Sequence, residues 1–423
     1  MQINRLYKDG IRLSHLSLNK FKTVQFQLRF FAPLNARDAT VRSLMFQMLK
    51  AKTSRYPSRR KMSQHTEKLY DLHLSHTQSV MGEAHVLTQS VRFAHPHYLQ
   101  DDQYYHDVMT FVHHVLHQPL FDENTLAQEK QFVKDYFDSI YASKARYASK
   151  LFWDHMLDGH PDHISAYGDV TYLDDITLND IHEAYQSMMA QDAVHMSLVG
   201  DLEGLSTLES FFDAFDLLSR KPTWPSFVHQ VKHQPLTPRY VKDQVTQERL
   251  YIAYDCPVFP GDEAYYVAIV MNQILGDGSE SWLFQDIREK HSMAYDVHSS
   301  LSPAWGLLTV QAGLSFENLE KAVSIVETTI DRLKTDPVSD EDLSLAKKTL
   351  RHGVAQSYDS PRVLSYRMMR EDLLDIPFAL ENILERIDAV NTSDIMLLAK
   401  RLKRLTIFTL GGHDHGQTQL QSL

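Results

Sequence analysis

The chain has 423 residues, 43% hydrophobic and 23% charged, with a formal net charge of -11. That length exceeds what one core serves and favours two or more domains, while the ordinary composition excludes a disordered or fibrous chain. The acidic balance excludes sequence-independent nucleic-acid binding, which needs a cationic surface to displace counterions, so proteins or peptides are the expected partners.

The opening M-Q-I-N-R-L-Y-K-D-G has no apolar signal region, and no run in the chain approaches the length of a membrane span, so neither is expected. Residues 1 to 32 read as two or three strands around an Asp9-Gly10 turn, with Ile11 to Leu16 and Val24 to Phe31 as the clearest. A helix is expected from about Asp38 to Ala51, because Val41, Leu44, Met45, Met48 and Leu49 recur at helical spacing and form one apolar stripe. Lys61 to Leu72 reads as helix, Leu74 to Val80 and His85 to Phe93 as strands. Gln103 to Leu116 and Asn124 to Ala142 return to the helical period, the second with Val133, Tyr136, Phe137 and Ile140 on one stripe. Further on come a helix around Asn179 to Met189, a strand Ala193 to Gly200 ending in V-G-D, and a helix Leu205 to Asp216.

The segment from Ser219 to Tyr240 carries Pro222, Pro225, Pro235 and Pro238 and reads as a linker. After it the order repeats: strand Leu250 to Ala253, an apolar helix Ala264 to Leu275 stopped by Gly276, strand Leu307 to Ala312, a run of helices, and strand Leu405 to Leu410 before Gly411-Gly412. The sole cysteine, Cys256, excludes an internal disulfide and any thiolate metal cluster and fits the reducing cytoplasm; within L-Y-I-A-Y-D-C-P-V-F it reads as packed filler, not a nucleophile. The endings S-L-V-G-D-L and T-L-G-G-H-D occupy matching places, which suggests a tandem duplication. The expected fold class is therefore α+β: two homologous halves, each with helices packed on a mostly antiparallel sheet, as residues 1–220, a linker 221–239, and residues 240–423.

The stretch S-E-S-W-L-F-Q-D-I-R-E-K-H-S-M-A-Y-D-V-H-S-S, Ser279 to Ser300, is the most informative. Leu283, Phe284 and Ile287 predict a short helix ending at Arg288; Tyr295, Val297 and Ser299 then alternate with Ala294, Asp296 and His298 as in a strand. A guanidinium with five fixed donors and a phenol at such a corner can hold the carbonyl oxygens of an extended peptide. A surface ion pair for Arg288 and strand filler for Tyr295 would produce the same spacing.

This stretch resembles the signature of the pitrilysin/insulinase peptidase family, approximately L-F-Q-E-I-R-E-K-x-G-L-A-Y-S-V-x-S, and the strands before it, the first helix, H-P and V-G-D extend the resemblance over nearly the full length. In that family two such halves enclose a cavity, and the Arg and Tyr of the signature grip substrate; the resemblance assigns those roles to Arg288 and Tyr295. One departure is Ser292, where the family usually has Gly. Active members carry H-x-x-E-H on the first long helix, two histidines on one helical face binding zinc and a glutamate activating its water. No H-x-x-E-H occurs here. The resemblance puts Ser43 and Gln47 at the histidine positions, Phe46 at the glutamate, and Tyr136 at the third ligand, seven residues after Glu129.

Two histidine groupings raise the question of a relocated metal: His113 and His117 with His114 beside them, and His155, His160 and His163. Surface or satisfied core histidines explain them more simply, and no metal or other cofactor is expected. Asp359, Asp372 and Asp375 read as solvated helix faces. The resemblance implies a catalytically silent subunit of the cytoplasm that binds peptide and complements an H-x-x-E-H-bearing paralogue in peptide processing, not an enzyme on its own. The contrasting reading is a non-enzymatic scaffold or peptide-binding homodimer of the same fold.

Overall fold

The computed structural model describes residues 2–101, 103–158, 160, 164–205, 215–217, 219–228 and 232–421. Eleven strands appear among them: β1 Asn4–Lys8, β2 Ile11–Ser17, β3 Thr23–Pro33, β4 His73–Met81, β5 Ala84–Ala94, β6 Ala193–Gly200, β7 Arg239–Lys242, β8 Glu248–Asp255, β9 Ala294–Ser302, β10 Leu307–Leu314 and β11 Lys403–Gly411. The helices that matter below are α1 Ala36–Leu49, α2 Glu123–Ala142, α3 Lys144–Met156, α4 Leu178–Gln191, α5 Tyr265–Leu275 and α6 Pro361–Leu374. The helix expected over Leu205 to Asp216 lies, but for its ends, outside the described residues.

The strands form two sheets, ordered β1-β2-β6-β3-β5-β4 and β7-β11-β8-β10-β9. Apart from β1, the second order repeats the first strand for strand, down to the one parallel pairing in each, β2 with β6 and β7 with β11. The glycines of the two matching endings, Gly200 and Gly411, close equivalent strands. The α+β class with two homologous halves therefore holds. The β1–β2 hairpin has a two-residue loop, with Lys8 opposite Ile11 and positive φ at both Asp9 and Gly10, the geometry that makes Asp-Gly a strong hairpin signal.

The compact units are not contiguous in the chain. One comprises residues 1–139, 159–227 and 357–373; the other 140–158, 228–356 and 374–423. Relative to halves drawn at 1–220 and 240–423, segments 140–158 and 357–373 have changed sides, and the linker's last residue, Arg239, starts β7. Side-chain chemistry explains both transfers. In the second unit Phe152 of α3 stacks on Tyr251 at 4.8 Å and meets Phe408 edge-on, joining a buried cluster with Ala253, Leu307 and Leu410; burying one such ring contributes about 1.5–3 kcal/mol.

In the first unit α6 is held by its last turn. Asp372 accepts hydrogen bonds from Arg5, Ser14 and His195, and its main-chain carbonyl accepts from Arg12. Burial pushes this carboxyl up, but the bonds from His195, Ser14 and Arg5 outweigh it and hold the pKa near about 2. Asp372 is thus a buried anchor, with 7% of its side chain exposed, and not the solvated residue its sequence context suggested. Nearer the start of α6, Ser365 lies against the fully buried Arg29, which also bonds Ser197 and Gln27; burial pulls its pKa down to about 9.

Candidate functional site

In the first unit α1 starts at Asn35, whose side chain caps the Asp38 amide. The expected apolar stripe is buried, but so are Thr40, Arg42, Ser43 and Gln47, because each polar group has found a partner. Arg42 makes a two-pronged pair with Asp192, at 2.7 and 3.1 Å, and donates from Nε to His85. Burial lowers the His85 pKa to about 3, so the ring is neutral: Nδ1 accepts from Arg42 and Nε2 donates to the Ala166 carbonyl at 2.9 Å.

The Ser43 hydroxyl donates to that same carbonyl at 2.7 Å. Gln47 turns its amide to the edge strand β4, donating to the His76 carbonyl at 3.2 Å and to the Gln78 side-chain oxygen at 2.8 Å. Phe46 lies edge-on to His76, with ring centres 4.6 Å apart. On α2, buried Glu129 accepts from Arg59, and the Tyr136 ring lies 4.2 Å from that of Tyr167.

These contacts bring Ser43, Gln47 and Tyr136 into one neighbourhood through a residue that the sequence reading did not single out. Tyr167 follows Ala166, the acceptor for Ser43; its hydroxyl faces Gln78, the acceptor for Gln47; and its ring meets Tyr136. Nothing local marked it except the glycine that follows. A zinc ion needs nitrogen, sulfur or carboxylate donors converging at about 2.0–2.3 Å. Here a hydroxyl and an amide are committed to main-chain and side-chain acceptors, and an aromatic ring stands at each remaining position. The residues present do not fit the ion.

The second unit keeps the other half of the signature. The expected helix is a π-helix over Phe284–Lys290, its hydrogen bonds spanning one residue more than those of an α-helix, a form often found at functional positions. Its end is closed by Ser292 donating to Arg288 O and Met293 to Ile287 O, both at 3.0 Å. Ser292 has φ +49°, so the turn does require the left-handed conformation that a glycine would adopt at less cost.

On β9, Asp296 pairs with Gly313 and Ala294 with Leu314, leaving Tyr295 as the extra residue of a β-bulge. Strict alternation would bury Tyr295 with Val297 and Ser299. The bulge turns it out, to 77% exposure, while Ala294 joins the buried side; re-aiming a side chain is what bulges do. The Arg288 guanidinium lies over the Phe284 ring at 4.8 Å and the Tyr295 ring at 5.9 Å, and pairs loosely with Glu289 at 3.8 Å. A half-exposed cation beside an exposed phenol leaves donors free for an incoming carbonyl or carboxylate.

The histidine groupings form no metal site among the described residues. His113 and His117 stack face to face at 4.4 Å, and His117 spends its Nε2–H on the Phe215 carbonyl at 2.6 Å. His155 belongs to the second unit and bonds Thr406, His160 to the first, and His163 lies outside the described residues. Among the described residues no group of three or more His, Cys, Asp or Glu side chains is placed to hold a metal. Cys256 is 1% exposed, and burial raises its thiol pKa to about 12, which removes it as a nucleophile. No helix among the described residues is long and apolar enough to cross a membrane.

Comparison with known proteins points the same way. The family described as "Peptidase M16 inactive domain" matches residues 175–350. A protein named "Probable inactive metalloprotease YmfF", from Bacillus subtilis, is 27% identical over 414 residues, covering 96% of this chain and 97% of its own. The chain is similar to inactive pitrilysin/insulinase-like, or M16, proteins, over residues 175–350 in the family comparison and nearly end to end in YmfF. Bacillus subtilis also has an "Uncharacterized zinc protease YmxG", 27% identical over 300 residues, or 67% of this chain and 69% of that one. Among solved structures, a conserved protein from Enterococcus faecalis V583 superposes with a TM-score of 0.89 at 26% identity, over 96% of this chain and 97% of that one. A peptidase M16 inactive domain from Pseudomonas fluorescens gives 0.81 at 16% identity, over 98% and 99%, and shares the fold. This chain is thus a metallopeptidase homologue without the metallopeptidase site.

Proposed function

We propose that this chain is the non-catalytic subunit of a two-chain M16-type peptidase, binding an extended peptide through Arg288 and Tyr295 while an H-x-x-E-H-bearing paralogue supplies zinc and the activated water. The observation that carries the reading is the contrast between the two sites. The bulge at Tyr295 presents the phenol at 77% exposure with the Arg288 guanidinium 5.9 Å from its ring, whereas Ser43 and Gln47 are buried and hydrogen-bonded within their own unit. A gripping arginine acts through position and charge and needs no metal on its own chain. Cytoplasmic residence belongs to the same proposal and is supported by the lone cysteine.

The test is co-expression with an H-x-x-E-H paralogue from the same organism, followed by a peptide-cleavage assay. The mixture should cleave, neither chain alone should do so, and Arg288→Ala should lower kcat/KM by about tenfold or more without changing association on a sizing column. Unchanged cleavage by the Arg288→Ala complex would overturn the role given to the arginine. Peptide binding by a dimer of this chain, with no response to any paralogue, would favour a scaffold instead.

A further inference from the structure

We infer that the M16 metal position in this chain is closed by a plug, Tyr167, carried on a latched loop, so that replacing the lost ligands alone does not restore zinc binding. This concerns the first unit only and does not rest on the two-chain reading.

The latch consists of contacts between loop 165–169 and the buried residues around α1. Ala166 O takes two donors, Ser43 Oγ at 2.7 Å and His85 Nε2 at 2.9 Å. The Thr40 hydroxyl accepts from the Asp169 amide at 2.9 Å. Between them Gly168 has φ +76° and approaches α1 so closely that a β-carbon would stand 2.4 Å from the Thr40 nitrogen. The loop is further tied within itself, with the Gly168 amide donating to Ser165 O at 2.7 Å and the Tyr167 amide to Ser165 Oγ at 3.1 Å.

Those contacts leave the Tyr167 ring little freedom. It packs on Tyr136 at 4.2 Å and near Phe132 at 6.1 Å, and burial, with Tyr136 next, raises its phenol pKa. A neutral phenol on a fixed backbone, among the positions that correspond to ligands, occupies volume that a tetrahedral ion and its water would need. Ser43, standing where a ligand would be, has become part of what holds the plug. The site is therefore refilled as well as stripped. His85, tied through Arg42 to Asp192, supports the same carbonyl and would survive ligand replacement.

The experiment compares two variants of the full chain. One carries Ser43→His, Phe46→Glu, Gln47→His and Tyr136→Glu; the other adds Tyr167→Ala. Zinc ion is titrated into each by calorimetry and by competition with a chromophoric chelator. The four-substitution chain should show no stoichiometric zinc, and the five-substitution chain should bind zinc at least about a hundredfold more tightly. Equal binding by both, or binding by neither, would overturn the inference. Since heavily substituted chains can fail to fold, amide exchange on Thr40→Val/Ser43→Ala in the otherwise natural chain provides a second arm. Loss of the latch should speed exchange at Tyr167, Gly168 and Asp169 by about tenfold, and unchanged exchange there would equally overturn it.

Discussion

Arg249 donates to Asp296 at 3.1 Å across a strand that separates them. Arg249 lies on β8, Asp296 on β9, and the residue between them on β10 is Gly313, paired with both. A β-carbon on Gly313 would stand 2.4 Å from the Asp296 carboxylate and 2.7 Å from the Arg249 guanidinium. Gly313→Val should therefore destabilise the protein by about 1–3 kcal/mol through overpacking, read from urea unfolding. Arg249→Met should cost less than about 1 kcal/mol, because the pair is partly exposed and such pairs contribute little. A larger loss from Arg249→Met than from Gly313→Val would show that charge, not space, fixes the glycine.

Two glycines should respond in opposite directions. Gly168→Ala meets both positive φ and the Thr40 backbone and should cost more than about 2 kcal/mol. Gly353 lies in the helix Asp340–Ser357 with nothing within 4 Å of an added β-carbon, so Gly353→Ala should raise stability by about 0.5–1 kcal/mol. Thermal unfolding of the two variants beside the natural chain checks both signs.

Neighbouring acids at the end of α6 should differ sharply. Asp372→Asn leaves His195, Ser14 and Arg5 facing a neutral amide and should cost about 2–4 kcal/mol. Glu371 pairs with Arg5 at a partly exposed position, and Glu371→Gln should cost less than about 1 kcal/mol. Chemical denaturation separates these values comfortably.

Acid should loosen the first unit well before Asp372 titrates. Burial is the leading cause that lowers His76 to about 3, His85 to about 3 and His195 to about 4. A histidine held neutral in the fold but free to protonate when unfolded leaves the unfolded state with more protons. Stability is then complete above about pH 6.5 and falls as pH drops from there towards 4 for His195 and 3 for the other two, by up to about 1.4 kcal/mol per pH unit for each ring. Asp372 adds a further loss only as pH falls from about 3.8 towards its folded value of about 2. Urea midpoints between pH 7 and 4, compared with those of His195→Gln, measure the slope; a flat profile would mean that these rings ionise freely in the fold.

What was legible in the chain was what neighbouring residues decide. Alternation and helical spacing located the strands and the stripe of α1, and Asp9-Gly10 announced its hairpin. What escaped depends on partners distant in the chain. Arg42, Ser43 and Gln47 look like the wet side of an amphipathic helix until Asp192, Ala166 and Gln78 are brought to them. Asp372 reads as solvent-facing unless strands more than three hundred residues earlier supply its donors. Tyr295 reads as part of the buried side because a bulge leaves no mark in a period-two pattern.

The transfer of α6 has a consequence for how the chain is made. Ser365 and Asp372 complete the hydrogen bonding of Arg29 and His195 in the first sheet, yet a ribosome adds them only after nearly the whole second sheet has been translated. The leading segment must wait, half-dressed, with a guanidinium and an imidazole still seeking their companions. Cutting the gene at its proline-rich middle would therefore yield an orphan on either side.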